Sequence, residues 1–223
     1  MSEIVPAIIP KNLNLLKERL PLVAYFVKRV QIDFIDGKYD DDLSWPFSVE
    51  GLDEVANMVR NDEKFPFSDK VVIEADMMVL HPIEYLPDLL SLGVKSFVIH
   101  VDSTDHLKEC ISTIKHAGCE VGLGIKPSIN SELLEPFILD VDFVQFMDSD
   151  NIGHVGVEVD NLVLTKIKSF HEIHPLLLLQ ADIGVNAETI PELKKAGVSR
   201  FVAGSAVFNN PNIKEAIEKL SSL

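Results

Sequence analysis

The sequence is poor in the residues that tie chains together covalently: among 223 residues there are two cysteines, Cys110 and Cys119. Their separation fits neither a C-x-x-C redox pair nor a zinc-ligand spacing, so they read as reduced core thiols. Long apolar runs are missing too. The longest aliphatic run, Leu176 to Leu179, falls far short of the roughly 20 residues a membrane-crossing helix needs. The start, M-S-E-I-V-P, lacks the basic and apolar regions of a secretory signal, so a soluble, cytoplasmic protein is expected. Positive charge is scarce: 20 Lys and Arg face 35 Asp and Glu, a formal net charge of −15. Such a field repels nucleic-acid backbones and anionic membrane surfaces, so neither is expected as a partner, and an anionic ligand must be captured by local chemistry. There is no low-complexity linker, and no G-x-G-x-x-G follows the first apolar run, which removes the signature of a dinucleotide-binding fold.

What the chain does contain is a regular alternation. Strand-like runs occur near residues 4 (I-V-P-A-I-I), 30 (V-Q-I-D-F-I), 71 (V-V-I-E-A-D-M-M-V), 96 (S-F-V-I-H-V), 120 (E-V-G-L-G-I-K), 142 (D-F-V-Q-F-M), 176 (L-L-L-L-Q-A-D) and 200 (R-F-V-A-G). Between them lie amphipathic segments such as N-L-N-L-L-K-E-R-L, I-E-Y-L-P-D-L-L-S-L-G and A-E-T-I-P-E-L-K-K-A-G. The last two end on Gly93 and Gly197, suited to helix C-termini. Eight strand–helix units in a chain of this length predict one α/β domain over residues 1–223. Its expected form is a (β/α)8 TIM barrel, an eight-stranded closed parallel sheet.

Within that frame the stretch V-Q-I-D-F-I-D-G, residues 30–37, is unusual. Val30, Ile32 and Phe34 alternate as a strand face should, which places Gln31, Asp33 and Ile35 on the other face. In a closed barrel one strand face points into the lumen, whose C-terminal mouth carries the chemistry of such enzymes. Asp33, Asp76 and Asp182 all follow apolar strand residues and are expected at that mouth. A strand-end aspartate also serves as a helix cap or turn former; three converging on one rim point instead to a site.

These residues resemble those of the ribulose-phosphate 3-epimerases, in order and along the whole chain. P-A-I-I-P-K-N-L resembles that family's P-S-I-L-S-x-D, Q-I-D-F-I-D-G its H-L-D-V-M-D-G, and E-A-D-M-M-V-L-H-P its D-x-H-M-M-V-x-x-P. V-G-L-G-I-K-P-S is similar to V-G-L-A-I-K-P-x and D-I-G-V-N to D-G-G-V-N, while V-A-G-S-A-V-F matches the last strand and turn. The resemblance implies an isomerase of carbohydrate metabolism that epimerises a ketose phosphate at C3 through a metal-stabilised enediolate. It assigns Asp33 and Asp182 as the catalytic acid and base, Met78, His100 and Met147 as substrate lining, and Gly153, Gly156, Gly184, Gly204 and Ser205 as the phosphate cradle. It also implies a small-molecule sugar phosphate as ligand and a homo-oligomer. The chemistry agrees: an ordinary aspartate, with a pKa of about 3.9, is a poor base for a carbon acid unless the developing enediolate is stabilised by a metal or fixed dipoles.

The departures define an altered site. Gln31 and Asp76 stand where the family has metal-binding histidines, Ala7 where it has serine, Ile35 where it has methionine, and Ile183 where it has a glycine. The loop M-D-S-D-N-I-G-H-V-G-V-E-V is longer by one residue and lacks the family's glutamine. A ligand set of Gln31, Asp33, Asp76 and Asp182 is all oxygen, which suits magnesium or manganese better than zinc or iron. Two alternatives stay open at this point. One is a barrel that binds sugar phosphates without turnover, its metal site decayed; the other is a lyase using Lys126 as a Schiff-base amine. His154 reads as solvent-exposed, and the acidic run Asp40-Asp41-Asp42 as a solvated turn.

Overall fold

Eight short runs form strands: β1 (Glu3–Ile8), β2 (Arg29–Ile35), β3 (Val72–Met78), β4 (Ser96–His100), β5 (Glu120–Ile125), β6 (Phe143–Met147), β7 (Leu178–Asp182) and β8 (Arg200–Ala203). In the computed structural model, which describes residues 2–147, 159–182 and 184–223, each strand pairs in parallel with the next, and β8 pairs with β1 to close a barrel. The expected (β/α)8 barrel is therefore the fold.

The helices are α1 (Leu13–Val23), α2 (Val49–Arg60), α3 (Leu86–Ser91), α4 (Leu107–His116), α5 (Asn161–Ile173), α6 (Ile190–Lys195), α7 (Ser205–Phe208) and α8 (Ile213–Ser222). Their starts follow the expected capping chemistry: the side chains of Asn12, Ser48, Asp160 and Asn212 accept backbone N–H bonds at the first turns of α1, α2, α5 and α8. Gly93 and Gly197 sit just past α3 and α6 with φ of 94° and 109°, the left-handed conformation that ends a helix at low cost only with glycine. One unit departs from the pattern. Between β5 and β6 the covering segment is a 3-10 helix, Ser131–Phe137, with Pro136 inside it; a proline there removes a donor and blocks an ordinary α-helix.

The apolar core lies between sheet and helices, where Ile32, Phe34, Ile73, Phe97, Leu123 and Phe201 are fully buried against residues such as Leu16, Leu20 and Ile114. Both cysteines are free and buried there, and burial pushes the Cys110 thiol up to about 11, away from reactivity at neutral pH.

The lumen is filled differently. β2 sends Arg29, Gln31 and Asp33 inward, β3 sends Glu74 and Asp76, and β7 sends Gln180 and Asp182; Gln31 and Asp182, on non-adjacent strands, meet across the interior. Its floor is an ionic cluster. Arg29 donates to Glu74 at 2.9 Å and to Glu120 at 2.7 Å, and Arg200 lies 3.5 Å from Glu3 and 3.8 Å from Glu74. Ser96 Oγ and Gln180 Nε2 also donate to Glu74, at 2.7 and 2.8 Å, so this fully buried carboxylate is well supplied with donors. A buried charge that loses its partner costs several kcal/mol. Arg29→Ala is therefore expected to destabilise the fold by roughly 3–5 kcal/mol, read as a fall in the urea midpoint; an unchanged midpoint would show that the floor charges are not coupled.

Candidate active site

Strand register builds the site. Gln31 is paired with Glu74 and Asp33 with Asp76 across β2 and β3, while Gln145 is paired with Gln180 and Met147 with Asp182 across β6 and β7. Since side chains two residues apart share a face, the glutamines form a layer above the floor and the aspartates a layer above the glutamines.

Asp33, Asp76 and Asp182 meet at the top, with one oxygen of each lying within 4.8 Å of the other two. The Gln31 amide nitrogen donates to Asp33 Oδ1 at 2.9 Å and to Asp182 Oδ2 at 3.1 Å, and makes a long contact to Asp76 Oδ2 at 3.5 Å. Asp76 is held on both oxygens: His100 Nε2 lies 2.8 Å from Oδ1, and Gln145 Nε2 donates to Oδ2 at 2.7 Å. The carboxylate places the imidazole proton on Nε2. A chain of oriented amides links this centre to the floor. Arg200 donates to Gln180 Oε1 at 3.3 Å, Gln180 to Gln145 Oε1 at 2.6 Å, and Gln145 to Asp76. The arginine at one end and the carboxylate at the other fix the orientation of both amides between them.

Crowding has an electrostatic consequence. Burial, and then the charge of Asp76, raise the Asp33 pKa to about 8, against which the Gln31 hydrogen bond works only in part. This surplus of negative charge is the observation that fits the site to a cation. Three carboxylates with oxygen-only chemistry suit a hard divalent ion, and Asp33, Asp76 and Asp182 are the residues that would hold it; Gln31, expected as a fourth ligand, instead turns its amide nitrogen to the carboxylates and its Oε1 to Gln180 Nε2 at 3.3 Å.

The aspartate layer opens into a cleft of about 880 Å³ whose wall includes Asp33, Met78, Met147, Asp182, Gly184, Gly204 and Ser205. Gln31, Asp76 and His100 are fully buried and are not part of its wall. His100 thus faces Asp76 rather than the cleft. Gly153, Gly156 and His154 lie outside the described residues, as does Ile183. Gly184 has a positive φ of 33°, and its carbonyl accepts from Asn186 Nδ2 and Thr189 Oγ1. Gly204 caps α7, its carbonyl accepting from the Val207 and Phe208 N–H groups at 3.1 and 3.0 Å, which leaves the Ser205 and Ala206 N–H groups as the orphan donors of the first turn.

Several residues near the site were not anticipated from the sequence. Gln145 and Gln180 had a readable signal, since each lies on a strand two residues before a lumen-facing Met147 or Asp182. Tyr39 had none, being in a loop: it packs on Ile35, Met78 and Met147, and its hydroxyl donates to Asp102 at 2.6 Å. Its ring centre is 5.2 Å from that of His100. Lys126 is buried with its ammonium 3.9 Å above the Tyr39 ring, and it does not line the cleft. Gly124 is required by His100, because a Cβ there would come within 2.8 Å of the imidazole.

A closed (β/α)8 barrel with an acidic centre at its C-terminal mouth and a roomy cleft beside it is the architecture of a small-molecule enzyme. The chain belongs to the ribulose-phosphate 3 epimerase family, whose profile matches residues 3–208, and is thus a member of a family of carbohydrate epimerases. It is 28% identical over 197 residues to a ribulose-phosphate 3-epimerase of Bacillus subtilis, covering 86% of this chain and 84% of that one. It is 26% identical over 221 residues to the enzyme of that name from Schizosaccharomyces pombe, covering 98% and 92%. Among solved structures, the 3-keto-L-gulonate-6-phosphate decarboxylase of Vibrio cholerae shares the fold, with a TM-score of 0.71, 14% identity and coverage of 100% and 99%. Among the described residues no helix is long and apolar enough to cross a membrane.

Two outcomes are expected from this geometry. A carboxyl whose pKa is raised on folding keeps a proton that the unfolded chain gives up, so its contribution to stability is complete below about pH 4 and is lost as pH rises through about 8. In metal-free protein, Asp33→Asn should flatten the fall in melting temperature between those limits; an identical pH profile would contradict the raised value. Gly124→Ala should push His100 off Asp76 and cost about 1–3 kcal/mol, as overpacking does, with part of the loss recovered by combining it with His100→Ala. Thermal melts of the three variants check this.

Proposed function

We propose that this barrel is a ketose-phosphate 3-epimerase in which Asp33 and Asp182 exchange a proton with C3 of the substrate. The observation that carries the reading is that both carboxylates lie on the cleft wall and are tied to each other through a single Gln31 amide. They belong to strands three places apart around the ring, so a substrate carbon seated above Gln31 has one carboxyl toward each face. Removal of the C3 proton by one and its return by the other from the opposite side inverts the carbon.

The surrounding residues prepare that exchange. Burial and neighbouring charge raise Asp33 toward neutral pH, where a carboxyl serves both as acid and as base. Gln31 holds the two carboxyls in register, while His100 and Gln145 fix Asp76 beside them. Met78 and Met147 give the reacting end an apolar wall, which strengthens charge interactions nearby. Gly184, Gly204 and Ser205 offer backbone donors to the phosphate. A divalent cation held by Asp33, Asp76 and Asp182, magnesium or manganese on the strength of the oxygen donors, would supply positive charge against the enediolate oxyanion.

Retention of two facing carboxyls favours this enzyme over a barrel that only binds: without chemistry, burying them brings cost and no benefit. The Schiff-base lyase is disfavoured because Lys126 stands outside the cleft with its ammonium against Tyr39.

In deuterium oxide the protein should wash label into C3 of ribulose 5-phosphate or of allulose 6-phosphate. Asp33→Asn and Asp182→Asn should each lower turnover by about 10³-fold or more while leaving phosphate affinity nearly intact. Absence of exchange in the wild type, with binding preserved, would establish the non-catalytic barrel instead.

A further inference from the structure

The cleft is chemically polarised. Asp33 and Asp182 stand at one end, and two cations, Lys11 and Arg19, line the wall on the α1 side. Leu15 and Arg19 are one turn apart on α1, and Lys11 precedes its Asn12 cap, so a spacing of four residues directs Lys11, Leu15 and Arg19 toward the same wall. Neither cation has a carboxylate within ion-pair distance among the described residues, although the chain carries 35 carboxylate side chains against 20 cationic ones. The sequence explains this: positions three and four residues from Arg19 are Leu15, Leu16, Leu22 and Val23. The Arg19 guanidinium carbon instead lies 4.7 Å above the Phe208 ring, which also lines the cleft. Stacking orients the group and leaves its edge donors for a ligand.

We propose that Lys11 and Arg19 form a side-chain anion clamp that binds the phosphate end of the substrate and sets the protein's preference for phosphorylated over neutral ketoses. Lys11 is exposed and Arg19 half-buried, and with no carboxylate paired to them their donors are left available to an anionic ligand. In a protein of net charge −15 they add positive charge to the neutral backbone donors offered by Gly184, Gly204 and Ser205. Arg19 presents the planar donor fork that matches phosphate oxygens, and Lys11 a mobile point charge.

This inference rests on the reading of the cleft as a sugar-phosphate site, and its test separates the two. Inorganic phosphate binding is measured by calorimetry, and ribulose 5-phosphate exchange by deuterium uptake, for the wild type, Lys11→Ala, Arg19→Ala and Arg19→Lys. Each alanine variant should weaken phosphate binding and raise KM about 10- to 100-fold, with kcat changed by less than about twofold. Arg19→Lys should recover part of the loss, and wild-type binding should weaken as salt increases. Lost phosphate binding in the variants, with no exchange by the wild type, keeps the clamp and removes the epimerase. Normal exchange with KM and phosphate affinity unchanged in both alanine variants removes the clamp and keeps the epimerase, and failure of the wild type to bind inorganic phosphate also overturns the clamp.

Discussion

Three carboxylates forced together at the top of a closed sheet set the terms for the rest of this molecule. Asp33, Asp76 and Asp182 cannot all be charged at 4.8 Å or less without something positive or proton-donating among them. The barrel answers with amides and an imidazole. Gln31 reaches two of the carboxylates and makes a long contact to the third, while Gln145 and His100 hold Asp76 from below and from the side. Compensation is incomplete, which is why Asp33 is driven toward neutral pH. An acid poised at neutral pH and a set of oxygens suited to a hard cation arise from one cause.

The polar lumen makes this arrangement tolerable. A barrel interior usually consists of layers of branched aliphatic side chains; here the lower layers are Arg29, Arg200, Glu74 and the glutamines, with the aliphatic core displaced to the space between sheet and helices. Paired charges of both signs sit at the floor and carboxylates at the mouth, and the glutamine relay from Arg200 to Asp76 orients the amides between them. In the cleft the acidic residues come from the strands and the basic ones from α1 and the residue before its cap.

The fold and the acidic rim were legible in the sequence because they depend on local periodicity. Short apolar runs marked every strand, and aspartates placed just after apolar residues marked the rim. The ionic floor was hidden for the opposite reason: Arg29 contacts Glu74 and Glu120 across 45 and 91 residues of chain, and alternation along a strand does not say which face is the lumen. Lys11 and Arg19 carry no signal of a site in the sequence, and only the position of α1 beside Phe208 of α7 makes them cleft wall. Tyr39 sits in a loop whose path no periodicity predicts. His100 was legible as a rim residue, but its direction, toward Asp76 rather than the cleft, depends on the space left by Gly124 on the neighbouring strand.

Metal content tests this account most directly. Protein produced with magnesium, manganese, zinc and iron all available, then washed and measured by elemental analysis, should hold about one equivalent of magnesium or manganese per chain, and Asp76→Ala should lose it. Stoichiometric zinc or iron, or no divalent ion under any growth condition, would contradict the claim that a hard cation relieves the crowding of Asp33, Asp76 and Asp182.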